Sequence, residues 1–293
     1  MREEFRSGLG YLEALTALLQ RIRNSHPTAG MYQPAEVQFW WGRPRSTDAV
    51  DQLFWFDDDG RPEAAVAVVD FSDAASILYS DPTLVVTVMP GAAADWVAHV
   101  VDRGLAHIGE LGIESVELEI DRDDDVMREL FTGRGFTNKA EAVVECWLDA
   151  DARPEVSPLH DGYRLVRRSD ISDRPHYMNR ADGPDVEERL RQTSLYRADL
   201  DLVVLDGEDN HAAHGIFWND PVTGTGVVEP MRTHGDHQQR GLARHILTAG
   251  VDLLAQAGAG RISIGYEPDN PASGHLYRSV GFEPHARTDL YAR

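Results

Sequence analysis

At 293 residues, with 42% hydrophobic and 26% charged residues, the chain is long enough for two domains with buried cores and too apolar for wholesale disorder. Its net charge of 28 − 49 = −21 disfavours nucleic acid and anionic lipid as partners and suits cationic small molecules or peptides. The single cysteine, Cys146, rules out an intrachain disulfide, MREEFRSGLG carries acids where a secretion signal carries bases, and no apolar run nears the ~18 residues of a membrane span, so a cytoplasmic protein is expected.

In chain order, Leu9, Leu12, Leu15, Leu19 and Ile22 fall at helical spacing and predict an amphipathic helix, an extra segment ahead of a repeated unit. The unit itself is written twice. Gly112, Val116–Leu118, Leu130-Phe131 and Gly135-Phe136 recur 146 residues later as Gly258, Ile262–Ile264, Leu276-Tyr277 and Gly281-Phe282. Asp59-Gly60 recurs as Asp206-Gly207, each pair after an apolar run. Two copies of one α/β fold follow, joined by a Pro- and Asp-rich linker, which gives domains at 1–150 and 162–293 with residues 151–161 between them. The second copy reads as a strand at Tyr163–Val166 and a helix around Val186–Leu195. Strands at Leu200–Leu205, His211–Trp218 and Thr225–Thr233 come next, then a helix at Gly241–Ala257, a buried strand at Arg261–Tyr266 and a helix at Pro271–Ser279. Each copy is thus a mixed α/β sheet, a mostly antiparallel meander leading into strand–helix–strand–helix.

Between the third strand and the long helix of the second copy lies Met231–Arg244. A loop entering a helix through Gly241 and the small Ala243 leaves backbone N–H groups unpaired with the helix dipole behind them, a site for an anion, and Arg240 and Arg244 add side-chain charge. The run Gln238-x-x-Gly241-x-Ala243 resembles the Q/R-x-x-G-x-G/A signature of the GNAT superfamily, the acetyl-CoA-dependent N-acetyltransferases. Asn270–Phe282 resembles that family's N-x-x-A-x-x-x-Y-x-x-x-G-F, with Ser273 standing where the family usually has Ala. The resemblance implies acetyl-CoA as co-substrate and no metal. It places the pyrophosphate on Gln238, Gln239, Arg240, Gly241, Leu242, Ala243 and Arg244, pantetheine along Met231 and Thr233, and the thioester beside Asn270 and Tyr277.

By the same resemblance Tyr277 protonates the departing thiolate, and the first copy has Phe131 there, so packing alone does not demand the hydroxyl. A base is also expected, because an alkylamine of pKa ~10.4 is neutral in only about one molecule in 2500 at pH 7. Glu229, two residues before Met231 on the strand leading to the loop, is the first choice, with His234, Asp236 and His237 as rivals. His211 and His214 form an HxxH pair without a third metal ligand. Asp182, Asp185, Glu187 and Glu188 fall where the family builds its acceptor wall. In the first copy Asp95 aligns with Gly241 and is followed by Trp96, which predicts a degenerate copy that binds no acetyl-CoA. The expected activity is transfer of acetyl from acetyl-CoA to a primary amine in a ternary complex. The alternatives are a non-catalytic acyl-CoA-binding module and a transferase using another acyl-CoA.

Overall fold

The computed structural model of the chain describes residues 1–26, 28, 30–71 and 78–293. It divides into two compact units. The first holds Met1–Val37, Arg45–Val143 and Ala286–Arg293; the second holds Gln38–Pro44 and Val144–His285.

The first unit opens with strand β1 (Arg2–Arg6) and helix α1 (Gly8–Ser25), and α2 (Pro34–Gly42) crosses from it into the second. Strands β2 (Gln52–Phe56), β3 (Pro62–Val69) and β4 (Thr83–Val88) form an antiparallel meander. Helix α3 (Ala94–Glu110), β5 (Glu117–Asp121), α4 (Asp125–Thr132) and β6 (Thr137–Asp149) complete the copy. The second copy repeats that order with β7 (Arg164–Arg167), α5 (Asn179–Asp182), α6 (Val186–Gln192), β8 (Asp201–Leu205), β9 (His211–Asp220), β10 (Thr225–Thr233), α7 (Leu242–Gln256), β11 (Arg261–Tyr266), α8 (Pro271–Val280) and β12 (Glu283–Ala292). Every element expected in the second copy is present at or within a few residues of its sequence-read bounds.

Three features depart from the sequence reading. The amphipathic helix is not an appendage: β1 pairs with β2 as β7 pairs with β8, so β1 and α1 open the first copy. Leu12, Leu15, Leu19 and Ile22 of α1 are buried, whereas Leu9 in its first turn is exposed. The linker is packed along α7, where Ser157 N–H donates to Thr248 Oγ1 at 3.0 Å and Arg153 pairs with Asp252 at 2.9 Å.

The third departure is an exchange of final strands. Residues Val144–Asp149 of β6 pair antiparallel with β11, in the second unit, and Thr288–Ala292 of β12 pair antiparallel with β5, in the first. Boundaries drawn at residues 150 and 162 therefore cut across the compact units. Within the first unit the strand order is β1-β2-β3-β4-β5-β12, and within the second it is β6-β11-β10-β9-β8-β7. In each, the parallel neighbours found among the described residues are those flanking the long helix, β4 with β5 and β10 with β11.

The core of the second unit sits between its sheet and helices α7 and α8, with Phe217, Ile246, Val251, Leu254, Ile262 and Phe282 almost wholly buried. Here α7 comes unusually close to the sheet: a Cβ at Gly250 would lie 2.0 Å from the Phe217 ring. Replacing Gly250 by Ala should cost about 1–3 kcal/mol, the usual range for overpacking, because neither helix nor ring has room to yield. Urea unfolding of Gly250→Ala should show a lowered midpoint, whereas at Gly235, where an added Cβ meets nothing within 4 Å, the same change should leave it nearly unmoved.

Candidate active site

Strands β10 and β11 pair in parallel only through Thr225↔Arg261, Gly226↔Ile262 and Val227↔Ser263, although they run on to Thr233 and Tyr266. Beyond Val227 they part. On the other edge of β10 the register to β9 steps from Val228↔Phe217 to Met231↔Gly215, so that Glu229 and Pro230 together oppose Ile216 in a bulge. The Trp218 indole N–H donates to the Glu229 carbonyl at 2.6 Å and holds the bulge. A gap between parted strands exposes main-chain groups that the ladder leaves unpaired. The Thr233 hydroxyl, at the loop end of β10, is likewise buried without a protein partner.

The gap leads to the N-terminus of α7. Gln239 at φ 61° and Gly241 at φ 74° are both left-handed, which curls the chain tightly into the helix. A Cβ added at Gly241 would meet nothing within 4 Å, so glycine serves the backbone angle there and leaves open space in front of it. No side chain caps α7. Its first N–H groups thus face a ligand or solvent. Gln238, Gln239 and Arg240 are exposed, Ala243 and Arg244 half-buried, and Leu242 is buried in the core and anchors the first turn. Arg240 donates to the Tyr163 hydroxyl, and Arg244 donates to Ser279 Oγ at 2.6 Å and Ser279 O at 3.0 Å. Both cations are held beside the helix start.

Asn270, by contrast, caps α8, its Oδ1 accepting Ser273 N–H at 3.4 Å, with Pro271 at the first helical position. One turn on, Tyr277 is buried, its ring 6.0 Å from that of Tyr266. Burial, and next the charge of Glu229, raise its hydroxyl well above the usual tyrosine range, and a hydrogen bond with the Ser273 side chain opposes them. The one departure from the family signature, Ser273, thus touches the residue the signature marks out. Glu229 itself is pushed up to about 7, by burial and then by Glu267. Met231 packs against the core beside Gly215.

The histidines form a system that sequence reading missed. In a regular strand His211 and His214 would point to opposite faces. The register to β8 steps from Val204↔Ala213 to Leu205↔His211, and this bulge puts both on one face. His214 Nδ1 meets His211 Nε2 at 3.0 Å, and His211 Nδ1 meets His234 Nε2 at 3.0 Å. Burial, then His234, bring His211 down to about 4; burial lowers His214 and His234 too, so the rings are neutral and His211, in the middle, gives one of these two bonds and accepts the other. His237 bonds Tyr163 through Nδ1 at 2.9 Å. Both histidine rivals for the base are thus tied into the loop's support, and no group of three or more metal-binding side chains is found among the described residues.

Below them, wholly buried Asp201 accepts from His176 at 2.9 Å and from the Tyr177 and Tyr196 hydroxyls at 2.8 Å each, fixing the segments on either side of α5 and α6 to β8. An aspartate opening an apolar strand, with tyrosines five residues before it and further upstream, was the available signal. Of the four acids expected on an acceptor wall, Asp182 is paired with Arg43, and Glu187 with Arg168 at 2.8 Å and with Arg191 at 2.8 Å. They serve the fold before any ligand.

In the first copy, α3 starts two residues earlier in the 146-residue frame than α7 does. Asp95 therefore lies inside its first turn, with Oδ1 accepting Trp96 N–H at 2.9 Å.

The model of the Acetyltransferase (GNAT) family matches residues 163–282. A mycothiol acetyltransferase of Tsukamurella paurometabola is 31% identical over 118 residues, which are 38% of this chain and 40% of that relative, so the match spans well under half of either. Among solved structures, a tandem GNAT protein from the clavulanic acid biosynthesis pathway superposes with a TM-score of 0.67 at 13% identity, covering 100% of this chain and 98% of that one. A GCN5-related N-acetyltransferase from Sphaerobacter thermophilus gives 0.62 at 16%, covering 99% and 95%.

The raised Glu229 makes stability depend on pH with a definite sign. The folded chain holds that proton up to about pH 7, the unfolded chain only to the ordinary 4.5, so this contribution is full below about 4.5 and is lost as pH rises towards 7. Urea titrations across that window should show Glu229→Gln losing less stability with rising pH than the parent.

Proposed function

We propose that this chain, a tandem protein of the GNAT acetyltransferase family, moves the acetyl group of acetyl-CoA to a primary amine of a small molecule or peptide, and does so in its second copy. The observation that carries the reading is the uncapped start of α7 behind Gly241, placed at the end of the gap between β10 and β11. A diphosphate suits those N–H groups and the two arginines beside them. An extended pantetheine arm suits the unpaired edge of β10 from Met231 to Thr233, where the Thr233 hydroxyl would gain a partner. Asn270 combines its cap with a place near the thioester. The match to a mycothiol acetyltransferase supports a small-molecule acceptor.

Both reactants would be present together. Glu229, directly or through water, takes a proton from the ammonium, and the freed lone pair attacks the thioester carbonyl carbon. A C–N bond forms, the C–S bond breaks, the thiolate leaves with the proton of the Tyr277 hydroxyl, and the surplus proton shed by the new amide nitrogen returns to the Tyr277 oxygen. The coupling of the two residues gives this order a physical reason. While Glu229 is charged it holds Tyr277 protonated; once it has accepted the amine's proton that charge is gone, and Tyr277 becomes the stronger acid as the thiolate departs.

Three measurements test this. Tyr277→Phe should lower kcat by roughly 10²–10⁴ while leaving acetyl-CoA affinity nearly unchanged, and a folded variant of near-normal kcat would reduce Tyr277 to a wall of the pocket. Gly241→Asp puts a carboxylate against the diphosphate, and calorimetry should then show acetyl-CoA binding collapse in a folded protein; affinity within about threefold of the parent would refute the phosphate assignment. In log kcat/KM against pH, the slope should ease from about 1 to about 0 near pH 7, where Glu229 finishes ionising while the amine still arrives as its ammonium, and Glu229→Gln should remove that break.

A further inference from the structure

The first copy keeps the architectural gap of the second without its anion site. Strands β4 and β5 pair in parallel at Thr83↔Glu117 and run on to Val88 and Asp121. Between their far ends, roofed by Leu19 and Ile22 of α1, lies a cavity of about 270 Å³. Its lining differs from a cofactor cleft in three ways. The turn Met89–Ala92 leads into a helix whose first turn already carries Asp95, bonded to the neighbouring N–H. The charged lining residues are Glu119, Asp121 and Asp124, and no basic side chain joins them among the described residues. The Thr87 hydroxyl, on a residue only 8% exposed that lines the cavity, has no hydrogen-bond partner among the described residues.

An unpaired buried hydroxyl destabilises the fold, so it stands as a demand for a polar group. The apolar walls demand a hydrophobic body. Three carboxylates around a low-dielectric space set the sign of whatever charge enters. Glu119 accepts from the Tyr79 hydroxyl and from Thr288 Oγ1 at 2.5 Å, and Asp124 Oδ1 accepts Met127 N–H at 2.9 Å, so donors hold both in place.

We propose that the first copy is a binding site in its own right, whose cavity takes a small apolar molecule ending in one ammonium group and excludes phosphorylated ligands. The ammonium donates to the Thr87 hydroxyl and lies in the field of the three acids, while the body fills the space between β4, β5 and α1. This site stands whether or not the second copy transfers acetyl groups.

Three of the chain's six methionines, Met31, Met89 and Met127, line this cavity, whereas Met231 lies on β10. Methyl spectra of the full chain labelled with ¹³C-methyl methionine therefore separate the two copies. Titration with n-hexylamine at neutral pH should shift the Met31, Met89 and Met127 methyls saturably, and n-hexanoate should not. Thr87→Val should weaken that binding about tenfold or more, the worth of a hydrogen bond to a charged group. Asp124→Asn keeps the α4 cap, removes one charge and should weaken binding about two- to fivefold. Acetyl-CoA should leave the three cavity methyls unmoved. The proposal is overturned if hexylamine gives no saturable shift there, if hexanoate matches it, if Thr87→Val binds as the parent does, or if acetyl-CoA shifts the cavity methyls.

Discussion

The second unit is organised around the parting of two parallel strands. Sheet formation satisfies main-chain groups in pairs, and a strand that leaves its neighbour must find other partners for them or leave them open. Here β10 leaves β11 after Val227, and the bulge at Glu229–Pro230, held by the Trp218 indole, sends it away. The rest of the site follows. The parted edge is continuous with a helix start that no side chain caps. Glu229, at the bulge itself, sits in surroundings that favour its neutral form. Tyr277, one helix further on, feels its charge. None of these features would serve a ligand in a sheet that stayed zipped.

The first copy shows what the same architecture becomes when one end of the gap is altered. Its strands pair even more briefly, but a longer α3 brings Asp95 into the first turn, where its carboxylate occupies an N–H. Bonding an N–H of the helix start from within the chain leaves the gap itself intact, as a cavity edged by acids instead of arginines. Divergence acted on electrostatics and spared the backbone, as expected when the sheet is needed for stability whichever ligand it meets.

Much of this was legible in the residues. Helix and strand periods located the elements of the second copy other than α5 and β12, and the glycine-bearing loop located the uncapped start of α7, because turns, caps and amphipathic faces are local. What escaped was non-local or carried by little apolar pattern. Strand β1, REEFR, is an edge strand of mostly exposed polar residues and has no buried face to announce it. The histidine chain depends on a one-residue bulge that reverses the facing of His211, which an HxxH spacing alone does not reveal. Asp201 falls inside the strand read at Leu200–Leu205, and its partners His176, Tyr177 and Tyr196 lie before α5 and after α6, which no strand pattern brings together. Asp182 and Glu187 were visible as charges, but their arginine partners, Arg43 and Arg168, lie 139 and 19 residues away, at no helical spacing.

The exchange of β6 and β12 was the least legible feature, since equivalent strands of a repeat satisfy either sheet by pattern alone. It also bears on how the chain can have descended. Each copy ends by completing the other's compact unit: β6 borders β11, and β12 borders β5. A gene shortened to either copy would encode a sheet lacking its last strand and a surplus strand with no sheet to join. Once the duplicated halves traded strands, neither could be discarded, however little chemistry it retained. The first copy persists, on this view, as a structural creditor of the second, free to drift in its ligand but not in its fold.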